Sequence, residues 1–559
     1  MSSSYLSGSA SVRSTPQSEP IPQSGQTQNE AGGYAWEVTP IERLRRWLIL
    51  GSEGGTYYAS QKELTKQNVK ALQEALEELG TSAVAEIVKI SVQGRAPKAD
   101  PAIFALAYAC AFKHPSDKNQ TEIVQRAALD AIPRVCRTGI HLFMFCDFVQ
   151  QFRGWGPALR KAVAAWYQRD DIQGLSYQLV KYRQRDGWTH RDVMRLCHVK
   201  PPTPTHNAAY GWVTQGREDI LKVDDAKPIK AHVEAMAAPE RSVELLHANG
   251  TALPREALDP TALKDAKVWA ELVEQGMPMT ALLRNLATLT RVGVLKPLSD
   301  GTKTVIEQLT DKERLRRARI HPLSVLMALA TYRSGHGFRG RNTWEPIGQV
   351  IDALDAAFYK SFDYVQPTGK RTLLALDVSG SMGSAIANTM LSCREAAAAM
   401  AMVTARTEPN YAVVAFSHAQ GAWNAPAGNM GRFTAYGSGI KWLEITPNQR
   451  LDDILKLTSE LPFGGTDCAL PMLFAADEDV EVDVFQILTD NETWAGNIHP
   501  AQALNDYRRK TGVKSKLATV AMTAGGHTVG DPNDAGTLNT VGFDTSTPQV
   551  ISDFVRGDI

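Results

Sequence analysis

The chain is 559 residues long, 43% hydrophobic and 21% charged, an ordinary globular composition and neither a disordered nor a fibrous one. Its 60 basic and 60 acidic side chains cancel, which excludes a uniformly basic nucleic-acid coat and an acidic solvating tail. No apolar run approaches the roughly 18 residues of a membrane span, and the 6 scattered cysteines, with no CxxC pair, read as reduced, buried thiols of a cytoplasmic protein.

Residues 1–33 are rich in Ser, Gln, Gly and Pro with little to bury, and MSSSYLSGSASVRS holds no apolar signal-peptide core, so a disordered polar tail is expected. Order is expected from GYAWEV (Gly33–Val38) onward. In IERLRRWLIL, Ile41, Leu44, Trp47 and Leu48 share one helical face. QKELTKQNVKALQEALEEL, PAIFALAYACAF, ALRKAVAAWYQR and PLSVLMALATY continue the pattern, separated by Gly/Pro breaks such as GWGP and KPPTPTH. Medium helices in series, without strand signals between them, predict stacked helix pairs over 34–370. After residue 370 the texture changes. TLLALDV, YAVVAFS, VDVFQILTD and KLATVAMT are apolar strands alternating with helical segments, which predicts a doubly wound parallel sheet over 371–559.

Counted by region, the zero net charge is a sum of unlike parts. Residues 372–559 hold 12 basic and 21 acidic side chains, so the α/β region carries −9 and the rest +9. Within the helical region, residues 134–200 hold 12 basic against 5 acidic residues.

The acidic domain contains DVSGSM, which places Asp377, Ser379 and Ser381 directly after a buried strand, where open parallel sheets bind ligands. FGGTD adds Thr466 in a Gly-rich loop, with Asp467 as one spare carboxylate, and ILTDNET adds Asp490 at a second strand end. Mixed oxygen donors of this kind suit Mg²⁺ or Mn²⁺. The DxSxS, Thr and Asp constellation resembles the metal-ion-dependent adhesion site of von Willebrand factor A domains. That resemblance implies that Asp377, Ser379, Ser381, Thr466 and Asp490 hold one divalent cation, which takes an acidic side chain of an unknown partner protein. Two other motifs fail on context. SGSMG lacks the first Gly of a nucleophile elbow, and GHGFRG (Gly335–Gly340) follows a helical stretch, not the strand a dinucleotide loop needs.

The basic stretch contains LRKAVAAWY and KYRQRDGWTHRDVMRLCHVKP. Here Lys181 and Arg185 are expected on one helix face, and Arg191, Arg195 and His198 on the next, with Trp166, Tyr167, Tyr182 and Trp188 between them. Cations along one surface bind phosphates, and aromatics stack on unpaired bases; the same residues could equally form a solvated face over core aromatics.

GYAWEV, LGSEGGTYY, LRKAVAAWY, KYRQRDGWTHRDVMRLCHVKP, GMPMTALLRNL, IHPLSVLMALATYRSGHGFRG and ILTDNETWAG together resemble the Ro autoantigen family, a TROVE module followed by a von Willebrand A domain. The resemblance implies a ring of HEAT-like helix pairs closed by the A domain. It implies that Y-like small RNA binds a basic outer surface, that single-stranded 3′ ends of misfolded RNA enter the central hole, and that an exoribonuclease works alongside. By the same resemblance Lys181, Arg185 and His198 contact RNA, with His141, Arg134 and Arg137 as a second region; Arg160, Lys161 and Arg195 are added from charge and position. No DNA specificity and no enzymatic activity are expected. The competing readings are a metal-dependent protein-binding scaffold and a metal-dependent nuclease.

Overall fold

The computed structural model describes residues 14–52, 61–248, 253–318, 320–337, 342–362, 365–386, 391–418, 439–461, 464–542 and 547–558. The first helix, Pro40–Leu50, starts at a capping box in which Thr39 and Glu42 satisfy each other's amides, with Glu42 accepting from the Thr39 amide at 2.9 Å. Its inner face is Leu44, Trp47 and Leu48, with Ile41 half-buried beside them. Further helices follow in series, among them Gln61–Leu79, Thr81–Gln93, Asp100–Ala111, Gly139–Phe152, Pro157–Tyr167, Pro322–Ser334 and Gly348–Lys360. Each packs on its near neighbours in the chain. No described helix is long and apolar enough to cross a membrane. All 6 cysteines are buried free thiols.

The strands in chain order are β1 (Thr27–Gln28), β2 (Tyr34–Glu37), β3 (Gln184–Arg185), β4 (Trp188–Thr189), β5 (Thr372–Asp377), β6 (Tyr411–Phe416), β7 (Ile440–Leu443), β8 (Val484–Thr489), β9 (Lys516–Ala521), β10 (His527–Thr528) and β11 (Thr537–Val541). Six of them form the main sheet in the order β11-β9-β8-β5-β6-β7, parallel except for the edge strand β7, which runs antiparallel to β6. An antiparallel edge on a parallel sheet is common, because an edge strand needs only one partner. Alternation along β5 sends Leu373 and Ala375 into one core and Leu374 and Leu376 into another, so both faces are covered. The second of these cores is continuous with that of the helices.

The helical series returns on itself. The ring nitrogen Nε2 of His321, just before Pro322–Ser334, lies 3.1 Å from the Arg95 carbonyl oxygen, just after Thr81–Gln93. Both ends of the series also meet the α/β domain. At the start, the buried Arg46 donates to the carbonyls of Gly525 (3.1 Å) and His527 (2.6 Å). At the end, Asp355 accepts from the Leu451 amide (3.1 Å), and the Arg406 guanidinium lies 3.3 Å over the Tyr359 ring.

Two expectations are corrected here. Residues 14–33 are not a disordered tail: they carry β1, which pairs with β2, and β2 in turn pairs with β10 of the α/β domain. The segment is held by directional bonds from buried Gln17, Gln26 and Asn29, not by apolar burial, so composition gave no sign of it. Residues 1–13 lie outside the described residues. The helical region is also interrupted by a hairpin, β3–β4, whose turn residues Asp186 and Gly187 both take positive φ, 50° and 79°. That is the backbone a two-residue hairpin turn requires, and Asp-Gly is its usual sequence signal. Of the GHGFRG motif, residues 338–340 lie outside the described residues; Gly335 caps Pro322–Ser334.

Candidate metal centre and nucleic-acid interface

The chain runs from β5 to β6 and β7 on one side of the sheet, then crosses back to β8 and β9 on the other. The crevice at the C-terminal ends of β5 and β8 is therefore a topological switch point, where the outgoing loops of adjacent strands leave in opposite directions and make room for a ligand. Asp377 closes β5 and Asp490 directly follows β8. The Ser379 amide donates to Asp377 Oδ1 (2.8 Å), the Thr489 hydroxyl donates to Asp377 Oδ2 (2.6 Å), and the Ser379 and Ser381 hydroxyls are 3.1 Å apart. Ser381 hydrogen-bonds Asp490, whose Oδ1 also accepts from the Glu492 amide at 3.2 Å. The structure thus gathers Asp377, Ser379, Ser381 and Asp490 into one buried group. Thr466 is also buried, on the loop after Gly464 and Gly465, and its hydroxyl has no hydrogen-bond partner.

Burial raises the pKa of both Asp377 and Asp490, and the charge of Asp490 adds to the effect at Asp377. Arg394 approaches from below, but its guanidinium donates to the backbone oxygens of Val378 (3.0 Å) and Leu461 (3.0 Å). Next along, burial and then Asp490 and Glu30 push Glu492 up to about 8. The Asn491 carboxamide is buried with neither polar atom hydrogen-bonded, on a left-handed backbone with φ 67°. Two repelling carboxylates, two hydroxyls and an orphaned threonine oxygen make an oxygen-only donor set that fits a hard divalent cation. Among the described residues no three His, Cys, Asp or Glu side chains cluster as a metal group, so any cation here would depend on the hydroxyl donors as well as the two carboxylates.

The basic residues are arranged differently from the expectation. The helix Ile172–Lys181 ends at Lys181, and Arg185 stands on β3, so the two do not share a helix face. His198 lies beyond the helix His190–Cys197 as its C-cap, with left-handed φ 50° and ψ 47°, and so leaves the face of Arg191 and Arg195. Arg185, Lys161, Arg134, Arg195 and His198 are exposed; Lys181, Arg160 and Arg137 are half-buried. Arg195 donates to the Thr214 carbonyl (3.0 Å), and Arg137 donates to that of Ser91. His141 is half-buried with Nδ1 sealed from solvent, and burial followed by the Arg137 charge lowers its pKa to about 4. Of the interleaved aromatics, Trp166 and Tyr167 are fully buried core residues and cannot stack on a base. Tyr182 and Trp188 remain half-exposed.

The tertiary fold adds cations from distant parts of the chain. Lys181 Nζ stands 5.3 Å and 5.2 Å from the Tyr177 and Tyr182 ring centres and 3.3 Å from the Tyr177 hydroxyl. Burial lowers its pKa; Glu256 opposes this, while Arg255 and Arg284 lower it further. Three cations and one carboxylate therefore share a surface whose self-repulsion an anion would relieve. Arg255 is held there by Asn285 Oδ1 (3.1 Å), the neighbour of Arg284 in the helix Met279–Arg291.

Comparison with known proteins agrees with this architecture over almost the whole chain. Residues 371–555 match the Ro60 vWA domain, and residues 27–240 and 254–331 match the TROVE domain. The chain is 38% identical to the RNA-binding protein RO60 of Deinococcus radiodurans, over 96% of this chain and 96% of that protein. It is 34% identical to the RNA-binding protein RO60 of Caenorhabditis elegans, over 96% of this chain and 91% of the relative. The crystal structure of the Deinococcus radiodurans RO (RSR) protein superposes with a TM-score of 0.67 at 37% identity, covering 93% of this chain and 100% of that one.

Proposed function

The chain belongs to the Ro60 family, a TROVE domain followed by a Ro60-type von Willebrand A domain, and from that membership we propose that it is a cytoplasmic RNA-binding protein and not an enzyme. Its ligands in this reading are small structured Y-like RNAs on the basic outer surface and single-stranded 3′ ends of misfolded RNA in a central hole. The protein then sorts or scaffolds non-coding RNA, with an exoribonuclease as the downstream partner. The observation that carries the reading is the group of cations Lys181, Arg255 and Arg284 beside the half-buried Tyr177 and Tyr182, with Arg185 and His198 also exposed on the helical region. These side chains sit on a helix end, a hairpin and a cap, with no recognition helix among them. Such an arrangement favours shape and backbone recognition of RNA over base reading in a DNA groove.

The donor set at β5 and β8 holds Mg²⁺ or Mn²⁺ through Asp377, Ser379, Ser381, Thr466 and Asp490. When bound, the cation supplies an open coordination position for an acidic side chain of a partner. A nuclease would need a second acidic cluster about 4 Å from the first cation. Of the two further buried carboxylates on these loops, Asp467 accepts from the Gln17 amide group (2.7 Å) and the Ala469 amide (3.0 Å), and Glu492 accepts from the Ala31 amide (3.3 Å).

The RNA reading is tested by titrating a labelled RNA with a duplex stem and a single-stranded 3′ tail at two salt concentrations. The combined Lys181→Ala, Arg185→Ala and His198→Asn variant uses asparagine because it tolerates the left-handed backbone. The affinity is expected to fall by about tenfold or more, and the salt slope to flatten by about 1–2 for lost phosphate contacts. Arg284→Ala is expected to weaken binding in the same direction. Unchanged affinity at both salt concentrations removes the RNA assignment from these residues.

A further inference from the structure

Of the residues placed around the cation site, Asp377 and Asp490 are positioned by strand ends, whereas Thr466 stands on a Gly-rich loop beside the chain just beyond β6, where Gly465 exchanges backbone hydrogen bonds with His418 (2.7 and 2.8 Å) and the Thr466 carbonyl accepts from the Trp494 and Ala495 amides (3.1 and 3.0 Å). A segment from the other end of the chain adds side-chain bonds to the residue that follows Thr466. Gln17 is fully buried, and its Nε2 donates to Asp467 Oδ1 (2.7 Å) and to the Ile498 carbonyl (2.9 Å). Its Oε1 accepts from the Thr493 hydroxyl, which itself accepts from the Cys468 amide at 3.2 Å. One side chain therefore ties the residue after Thr466 to two points of the loop that follows Asp490.

The approach is built into both surfaces. The Gln17 amide donates to the Gly496 carbonyl (2.9 Å), and a Cβ on Gly496 would stand 2.3 Å from Gln17 Nε2 and 2.4 Å from Asp467 Oδ1. A Cβ on Gly33 would stand 2.1 Å from the Thr493 carbonyl oxygen. Glycine is the residue type that admits backbone this close. The rest of the segment is tied down nearby, through Asn29 to the Thr493 carbonyl (2.9 Å), Gln26 to His499 Nδ1 (3.3 Å) and the Glu19 carbonyl to His499 Nε2 (2.7 Å).

We propose that residues 14–33 are a strap and that Gln17 is a positioning residue of the cation site, setting where the Thr466 hydroxyl stands by pinning the Thr466–Asp467 loop. The inference rests on the reading of Asp377, Ser379, Ser381, Thr466 and Asp490 as a divalent-cation site. Because the strap continues through β2 into the helix Pro40–Leu50, it also connects the start of the helical region to the metal loop. Groups that orient direct ligands typically change metal affinity by 10–100-fold when lost.

The test measures Mn²⁺ binding to the full chain by calorimetry and by Mn²⁺ electron paramagnetic resonance. Gln17→Met keeps the volume and removes the hydrogen bonds; Gly33→Val displaces the strap where it lies against Thr493 and Trp494; Asp377→Ala is the reference for loss of the site. The expected result is a Mn²⁺ Kd raised about tenfold or more in Gln17→Met and in Gly33→Val, with an altered Mn²⁺ line shape. The melting temperature of Gln17→Met is expected to fall, because the buried Asp467 carboxylate and Thr493 hydroxyl each lose a partner, while the RNA affinity measured below the transition matches the parent protein. Parent-like Mn²⁺ binding in both strap variants, with binding lost in Asp377→Ala, overturns the role of the strap. Absence of Mn²⁺ binding by the parent protein overturns the metal reading itself, and the strap inference with it.

Discussion

Asp377→Ala is expected to eliminate Mn²⁺ and Mg²⁺ binding, a loss of more than about 100-fold, while RNA binding survives. Asp377 is fully buried at the end of β5, and both its carboxylate oxygens are fixed, one by the Ser379 amide and the other by the Thr489 hydroxyl. Its orientation is thus set before a cation arrives, and the cation is what offsets its repulsion with Asp490. Without Asp377 the donor set keeps one carboxylate and three hydroxyls, too little charge to strip water from a strongly hydrated divalent ion. Calorimetric titration checks the first half of the expectation, and RNA anisotropy on the same samples checks the second. RNA affinity lost together with the cation would make the site a structural support of the helical region. RNA cleavage by the parent protein with Mg²⁺ that disappears in Asp377→Ala would favour the nuclease reading.

Acidification is expected to loosen the helical region around His190 before the pH reaches the ordinary carboxylate range. His190 is buried, its Nδ1 lies 2.9 Å from the Tyr167 hydroxyl, and its ring stacks on Trp166 at 5.9 Å. Burial lowers its pKa from 6.5 to about 3. The folded form therefore keeps the ring neutral between pH 6.5 and about 3, where the unfolded chain takes up a proton. Stability from this residue is complete above pH 6.5 and falls as pH drops, by up to about 1.4 kcal/mol per pH unit; below about 3 both forms are protonated and the loss stops. Hydrogen exchange, corrected for its intrinsic pH dependence, reads this as faster local opening of Pro157–Tyr167 and His190–Cys197 at pH 5 than at pH 7. In His190→Gln the opening free energy should lose that pH dependence. Comparing the two proteins at each pH cancels the opposite contribution of Asp377 and Glu492, whose raised pKa values make protonation favourable to the fold. A parallel pH dependence in parent and variant would rule His190 out as the acid-sensitive group.

The buried strands and the order of the metal motif were legible in the sequence because both are local. A run such as TLLALD, apolar on both faces, has few homes other than a covered parallel strand. In such a sheet an acidic residue at a strand's C-terminal end stands on the edge where ligands bind. The apolar face of Pro40–Leu50 was legible for the same reason: its period of 3.6 residues is written in consecutive positions. The error at Lys181 and Arg185 was also local. Their spacing fits a helix, but Asp186-Gly187 favours a turn, and the turn prevails because both residues accept positive φ.

What remained hidden depends on partners far apart in the chain. Gln17 reads as one more polar residue of a polar tail; its role comes from Asp467, Thr493 and Ile498, some 450 to 480 positions away. Arg255 carries no motif, and Arg284 stands in the family-like peptide GMPMTALLRNL with no role signalled by its neighbours; both join Lys181 only when helices pack. Trp166 and Tyr167 read equally as stacking platforms or as core, and packing between neighbouring helices made them core.

The chain's zero net charge shows the same division. The sequence by itself determined that the charge separates into a basic helical part and an acidic α/β part, because each side chain's charge and each strand's apolar run belong to the residues themselves. The tertiary structure alone decided which cations share a surface, which aromatics are sealed away, and which distant glutamine pins the metal loop. Those outcomes depend on distance and burial, and both are set when elements remote in sequence close-pack and exclude water.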